Sequence, residues 1–424
     1  MRIELSNIGK IKTADVLING ITVIAGENNT GKSTVGKALY AIFNSFFEVK
    51  NELRKEKLSS INNSLVPVYI EFFGESKFTL SDVDHLADSL LNKFKNENAT
   101  SDNVTRYIAD ELHIEVSRLY KSDLRNYIEK TVAALNVSAA DYIISLAQKN
   151  FDEEFNQQIN NALEEKTASV ALTIKDYRSS VRFEDNIVAN VEKNIDVITD
   201  AIYLDDPFII DEKPPIGLFP LVLTKERYHA HKSKLKYLIY NNSRYNSIVD
   251  EVVVQKRLQN ILQKLNSACH GKIFFKNNGE LMYQQDNANV AYKVANLSTG
   301  LKTFAIMQSL LLNGVIKDKG LVILDEPEIH LHPEWQLIFA ELIVMLQKEF
   351  GLHILLNTHS PYFLQAIEVF AEKYAVSDGC EYYLSYNEIE ESYVERVTGN
   401  VEKIYAKLAK PLQTLERLRY ADDV

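Results

Sequence analysis

Residues 26–34, GENNTGKST, place Lys32 between Gly31 and the hydroxyls of Ser33 and Thr34, with Gly26 at the head of the run. The spacing fits G-x-x-x-x-G-K-[ST], in which the main-chain N–H groups of a glycine-bearing loop cradle phosphates. Gly26 and Gly31 permit close approaches that a side chain would block, and the helix expected next turns its positive end toward the anion. In that pattern Lys32 reaches the β- and γ-phosphates, Ser33 holds Mg2+ through its hydroxyl, and Asn28, Asn29, Thr30 and Thr34 complete the cradle. A second cluster, LVILDEP at 321–327, sets Asp325 and Glu326 after four apolar residues. Asp325 suits the Mg2+ shell, through water, and Glu326 suits the base that orients and deprotonates an attacking water. A third, HILLNTHSP at 353–361, ends its apolar run near His359, whose imidazole suits a γ-phosphate contact. A fourth, NLSTGLKTF at 296–304, puts Ser298 and the Gly300 amide at the start of an expected helix, a second anion site. Two such helix ends in one copy hardly serve one nucleotide, which invites a composite site shared by two copies.

Elements of particular kinds must carry these groups. Alternating apolarity in RIELSNIG and TADVLING, then the apolar run ITVIAG, predicts strands leading to a buried strand just before the loop; KSTVGKALYAIFNSFF predicts the helix after it. LVILD and HILLN predict buried parallel strands, whose carboxyl ends are where ligands of such folds bind. From Glu75 to Asp206 there is neither glycine nor proline, and apolar residues three and four apart predict helices over much of that span. No heptad register persists there, so a compact helical insertion or short helical hairpin is expected. Alternation returns at SVALTIKDYRSSVRFEDNIV, giving an expected layout of 1–80 as the first part of the head, 81–166 as the insertion and 167–424 as the second part with a helical tail. KIFFKNNGELMYQQ reads as a hairpin turning at NNGE.

The bulk composition narrows the function classes. The chain has 424 residues, 46% hydrophobic and 25% charged, with a formal charge of -11. That balance argues against a basic coat for nucleic acid and leaves room for a local groove only. The most basic stretch, TKERYHAHKSKLK at 224–236, reads as a solvated helix face before it reads as a phosphate-tracking patch. Its H-x-H pair, like His330 and His332, lacks a third ligand at usual spacing. Cys269 and Cys380 show no disulfide or metal framework, and neither a signal-type leader nor a membrane-length apolar run is seen, so a cytoplasmic location is expected.

The ordered quartet GENNTGKST, LSTGLK, LVILDEP and NTHSP resembles the ABC-type ATPases of the SMC, RecF and OLD-nuclease kind, prokaryotic defence ATPases among them. The resemblance implies an α/β P-loop NTPase fold, an ABC-type head with a helical insertion, and hydrolysis of ATP with Mg2+. It implies a head-to-head homodimer or higher homo-oligomer through shared ATP sites, in which Ser298 and Gly300 of one copy meet the γ-phosphate held by the other. EPEIHLHP resembles the OLD group, yet the 65 residues after His359 lack the acidic constellation of a TOPRIM nuclease. The family's glutamine sensor has no counterpart, since the first glutamine is Gln148, and Thr299 and Leu301 depart from the usual signature. Two roles remain open: an anti-phage defence sensor or scaffold that controls a separate effector protein, or a RecF/SMC-like ATPase that clamps duplex DNA.

Overall fold

The computed structural model describes residues 1–75, 77–120, 122–161, 163, 167–211, 229–240, 248–276, 280–286 and 290–421. The chain divides into two compact units. One, the head, is assembled from residues 1–47, 147–221 and 226–424; the other is built on residues 48–146.

The described strands are β1 (Arg2–Ile8), β2 (Ile11–Leu17), β3 (Ile21–Gly26), β4 (Thr167–Ile174), β5 (Tyr177–Glu184), β6 (Ile187–Glu192), β7 (Ala201–Leu204), β8 (Gly271–Phe275), β9 (Leu281–Gln285), β10 (Ala291–Lys293), β11 (Leu321–Asp325), β12 (His353–Thr358), β13 (Glu381–Glu388) and β14 (Glu391–Arg396). Eleven of them form one sheet in the order β6-β5-β4-β1-β2-β14-β13-β3-β12-β11-β7. The run from β13 to β7 is parallel throughout, whereas β6 to β2 is antiparallel. β14 joins the halves, parallel to β2 and antiparallel to β13. The mixed α/β architecture is that of a P-loop ATPase, as the motifs predict.

β3 is buried along its whole length, which is why it reads as a continuous apolar run rather than an alternating one. Ile21, Val23 and Ala25 join the core formed with helices Thr299–Leu312, Pro333–Phe350 and Pro361–Lys373. Successive strand side chains alternate between faces, so Thr22 and Ile24 turn to the opposite face, where helix Lys32–Phe46 packs. Gly36 lets that helix sit close: a Cβ there would stand 3.1 Å from the Tyr203 hydroxyl and 3.2 Å from Ile323 Cγ2. β8 to β10 form a separate antiparallel sheet. Residues 277–279 of the expected NNGE turn lie outside the described residues; β8 and β9 pair antiparallel, as the expected hairpin requires.

The helical unit has its own core, in which Ile61, Leu65, Val83, Leu86, Ile108 and Ile128 are buried together. Capping boxes at Thr79 with Asp82 and at Thr100 with Asn103 start two of its helices and satisfy their otherwise unpaired N–H groups. Its bounds differ from the expected 81–166 at both ends. The helix Val49–Phe73 belongs to it although Pro67 lies inside that helix, so a search for a proline-free span begins too late. Residues 147–161 group with the head instead. Among the described residues no helix is long and apolar enough to cross a membrane.

Candidate active site

The parallel strands end at one edge, and their register decides what meets there. Ser385 of β13 stands opposite Gly26, Thr358 of β12 opposite Ala25, Asn357 opposite Asp325 of β11, and Leu204 of β7 opposite Leu324. The chain leaves β3 through the glycine-bearing loop and enters helix Lys32–Phe46 at Lys32. Asn29 and Gly31 have φ of 61° and 85°, the left-handed region, which turns successive amides toward one side and favours glycine at position 31. A Cβ on Gly31 would also come within 2.7 Å of Ile11 Cγ1, and one on Gly26 within 2.2 Å of the Ser385 carbonyl oxygen.

The loop is braced from several sides. Thr30 Oγ1 donates to the Glu27 carbonyl at 2.8 Å, Ser385 Oγ to the Thr30 carbonyl at 2.5 Å, and Asn387 Nδ2 to the Asn29 carbonyl at 3.2 Å. Lys32, only 4% exposed, lays its ammonium across the loop onto the carbonyls of Gly26 (3.0 Å) and Glu27 (2.9 Å). Its Nζ is 3.4 Å from Glu326 Oε1, and His359 Nδ1 approaches the same oxygen at 3.2 Å. The three side chains read as catalytic in the sequence therefore converge on one carboxylate oxygen. Glu326 itself has φ of 48°, a conformation that costs a non-glycine residue on the order of 1–3 kcal/mol and clusters at functional sites. Its N–H donates to the Asn357 carbonyl at 2.9 Å, which fixes the turn.

Asp325 is held by three donors: the Ser33 hydroxyl, Asn357 Nδ2 at 2.9 Å and the Tyr203 hydroxyl at 3.2 Å. Burial pushes its carboxyl above the usual range, and these bonds oppose that rise. A hydroxyl and a carboxylate facing an open cleft form an all-oxygen donor set that fits Mg2+, which keeps several waters and takes few protein ligands. Ser33 and Asp325 are the residues that would hold it.

A cleft of about 540 Å3 runs along this edge, lined by Asn28 to Thr34, Asp325 and Glu326, with Lys10, Lys37, Asp205, Asp206 and Thr303 around them. It gathers the loop, the acid pair and, through Glu326, His359. Ser298 and Gly300 do not line it: they line a neighbouring pocket of about 440 Å3 with Thr299, His332, Trp335 and His330, the last of which lines both. Ser298 precedes helix Thr299–Leu312 without capping it by a side-chain bond. Gly300 permits that helix end to pack tightly, since a Cβ would stand 3.0 Å from both the His330 carbonyl oxygen and Trp335 Cε3.

Sequence reasoning passed over four residues. Asn357 is fully buried, and its Nδ2 also donates to the Lys32 carbonyl at 3.1 Å, tying the loop helix to the acid pair. Glu328 accepts a bond from Thr358 Oγ1 deep beside the histidine turn, and burial pushes its carboxyl up. Tyr203 and Asp205 come from β7 and its end, where a four-residue strand offers too short a pattern to read. The basic stretch at 224–236 is largely engaged in ion pairs where it is described: Lys232 lies 3.6 Å from Asp205 and 3.7 Å from Asp206, and Lys234 lies 3.1 Å from Asp200. Lys225 and Arg227 lie outside the described residues.

A family model described as an AAA ATPase domain matches residues 1–364. The probable ATPase of retron Vc95 from Vibrio cholerae serotype O1 biovar El Tor is 22% identical over 370 residues, 82% of this chain and 67% of that protein. The probable ATPase of retron Ec83 from Escherichia coli is 29% identical over 157 residues, 34% of this chain and 28% of that protein. The chain thus spans about two thirds of the first relative and under a third of the second. Among solved structures, an Smc head bound to the C-winged helix domain of ScpA aligns over 95% of this chain and 98% of that one, with a TM-score of 0.45 and 12% identity. The SMC head domain from Thermotoga maritima aligns over 93% and 98%, with a TM-score of 0.37 and 10% identity.

Proposed function

We propose that this chain, which belongs to the AAA ATPase domain family, is an ATP-hydrolysing sensor or scaffold that controls a separately encoded effector in anti-phage defence. The observation that carries the ATPase chemistry is the meeting of Lys32 and His359 on Glu326 Oε1 beside the phosphate loop. In this reading the loop amides from Asn28 to Thr34 and the Lys32 ammonium bind the β- and γ-phosphates. Glu326 orients the attacking water and takes its proton as ADP and phosphate form, while His359 contacts the γ-phosphate and steadies Glu326. Ser33 and Asp325 would hold Mg2+, which would supply neutralisation of the phosphate charge.

That Ser298 and Gly300 line a neighbouring pocket rather than the loop cleft supports a site completed by a second copy. The start of helix Thr299–Leu312, with no side-chain cap, offers its first amides to an anion. Support for the defence role comes from the likeness to two retron ATPases. The acidic chain and the pairing of Lys232 and Lys234 with aspartates weigh against the duplex-DNA clamp.

The test uses two variants. Glu326→Gln keeps shape and removes the base, so it binds ATP, loses turnover by about 100-fold or more and accumulates as closed dimers with ATP. Lys32→Ala loses a charge-assisted phosphate contact, so nucleotide affinity falls sharply while the fold persists. Parental turnover in Glu326→Gln, or parental affinity in Lys32→Ala, would sink the assignment. ATPase stimulation by duplex DNA that survives near-physiological salt would move the role to the clamp.

A further inference from the structure

Four carboxylates line the loop cleft, Asp205, Asp206, Asp325 and Glu326, and the chemistry above occupies only the last two. Lys232 lies 3.6 Å from Asp205 and 3.7 Å from Asp206, one ammonium against two carboxylates, so the acid beyond that pairing needs a further cation or water to face in a cleft for a polyanion. Asp205 is the first residue past β7, whose last paired residue, Leu204, stands opposite Leu324, the residue before Asp325, and Asp205 and Asp325 line the same cleft.

Asp205 is gripped from behind. His231 Nε2 forms an ion pair with its Oδ2 at 3.0 Å. The same imidazole, 6% exposed, sets Nδ1 2.7 Å from Glu154 Oε2, while the His231 main-chain N–H donates to Glu154 Oε1 at 2.8 Å. The ring stacks on Tyr203 with centroids 4.3 Å apart, and the Tyr203 hydroxyl donates to Asp325 Oδ2. One buried cluster thus fixes Asp205 through an ion pair and Asp325 through a phenol. Burying charges this way costs desolvation that apolar packing at the same place would avoid. The yield is orientation, and partners behind a metal ligand set its geometry and affinity.

We propose that Asp205 is a positioning residue of the ATPase site, accepting a hydrogen bond from water on the divalent cation held at Ser33 and Asp325, with the His231–Glu154 clasp fixing its carboxylate. The proposal rests on the nucleotide-site reading of the cleft. Asp205 touches water, not nucleotide, so its loss weakens the cation and leaves metal-free nucleotide binding in place.

The experiment measures Mn2+ affinity in the presence of ADP by electron paramagnetic resonance, ADP affinity in chelator by calorimetry, and kcat and KM for ATP. Asp205→Ala is expected to weaken Mn2+ by about tenfold or more and to lower kcat, with metal-free ADP affinity and KM within twofold of parent. Asp205→Asn, isosteric and foldable where Ala is not, should also weaken Mn2+, by less than Asp205→Ala where both fold. Mn2+ affinity within twofold of parent in the folded variants overturns the proposal. Equal losses of metal-free ADP and Mn2+ binding also overturn it, because they mark a role in shape alone. A parent protein that binds neither ADP nor Mn2+ overturns the nucleotide-site reading itself, and this proposal with it.

Discussion

Truncating Asn357 to Ala removes the tie between the loop helix and the acid pair, and the structure gives the size of the loss. Two bonds from one buried amide disappear, one to the Lys32 carbonyl and one to Asp325 Oδ1. A bond to an ionised acceptor contributes about 1.5–3 kcal/mol and a neutral one about 0.5–1.5 kcal/mol, so the sum is about 2–4.5 kcal/mol. A water entering the space left by the side chain recovers part of this and favours the lower end. The single tryptophan, Trp335, belongs to the head, so its fluorescence during urea unfolding reports that unit without interference from the helical one. The midpoint should fall at nearly unchanged slope, and ADP affinity should fall with it because the Lys32 main chain is no longer fixed to Asp325. Asn357→Asp, which sets a second carboxylate against the first, should cost at least as much at neutral pH. A loss below about 1 kcal/mol in Asn357→Ala, against the sum above, would refute the claim that this amide couples the two halves of the site.

Two more outcomes follow from geometry and titration. Gly26→Ala forces a Cβ to 2.2 Å from the Ser385 carbonyl, so β13 must shift at a cost of about 1–3 kcal/mol and nucleotide affinity should drop; Gly399→Ala, with nothing within 4 Å, serves as the neutral control in the same calorimetric and unfolding assays. His231 pays for burial with a lowered affinity for its proton, but its bonds and charge contacts with Asp205 and Glu154 outweigh that and lift its pKa from 6.5 to about 9. Because the folded value is the higher one, the clasp's stabilisation is complete below about pH 6.5 and is lost as pH rises through about 9, amounting to roughly 3 kcal/mol. Head stability measured by Trp335 fluorescence from pH 6 to 10 should show that decline, and His231→Gln should flatten it; an unchanged slope in the variant would remove the clasp as its source.

What could be read from sequence was whatever local pattern specifies. The apolar run ITVIAG, the glycines and the Lys32 to Thr34 triplet announce a strand, a loop and a helix because each depends on neighbours in the chain. Asp325 and His359 stand out because polar groups end apolar runs there. Asn357 escaped notice because a buried amide inside HILLN looks like a blemish in a strand until register sets it against Asp325. His231 looked like half of an H-x-H pair, and its partners Glu154 and Asp205 lie far away in sequence on a helix and a strand end. The helical unit starts before the expected residue 81 because glycine and proline mark breaks only on average, and Pro67 sits within a helix.

The bracing of the loop by β13 has a consequence for how the protein is made. Thr30 and the Ser385 hydroxyl that holds its carbonyl are 355 residues apart. At about 5–20 residues per second, a ribosome needs roughly 20–70 s to travel from one to the other. Throughout that interval the nascent chain carries the lysine, the hydroxyls and the glycines but lacks the strand that locks them. The apolar β3 likewise waits for both of its sheet neighbours, β12 and β13, which come more than three hundred residues later.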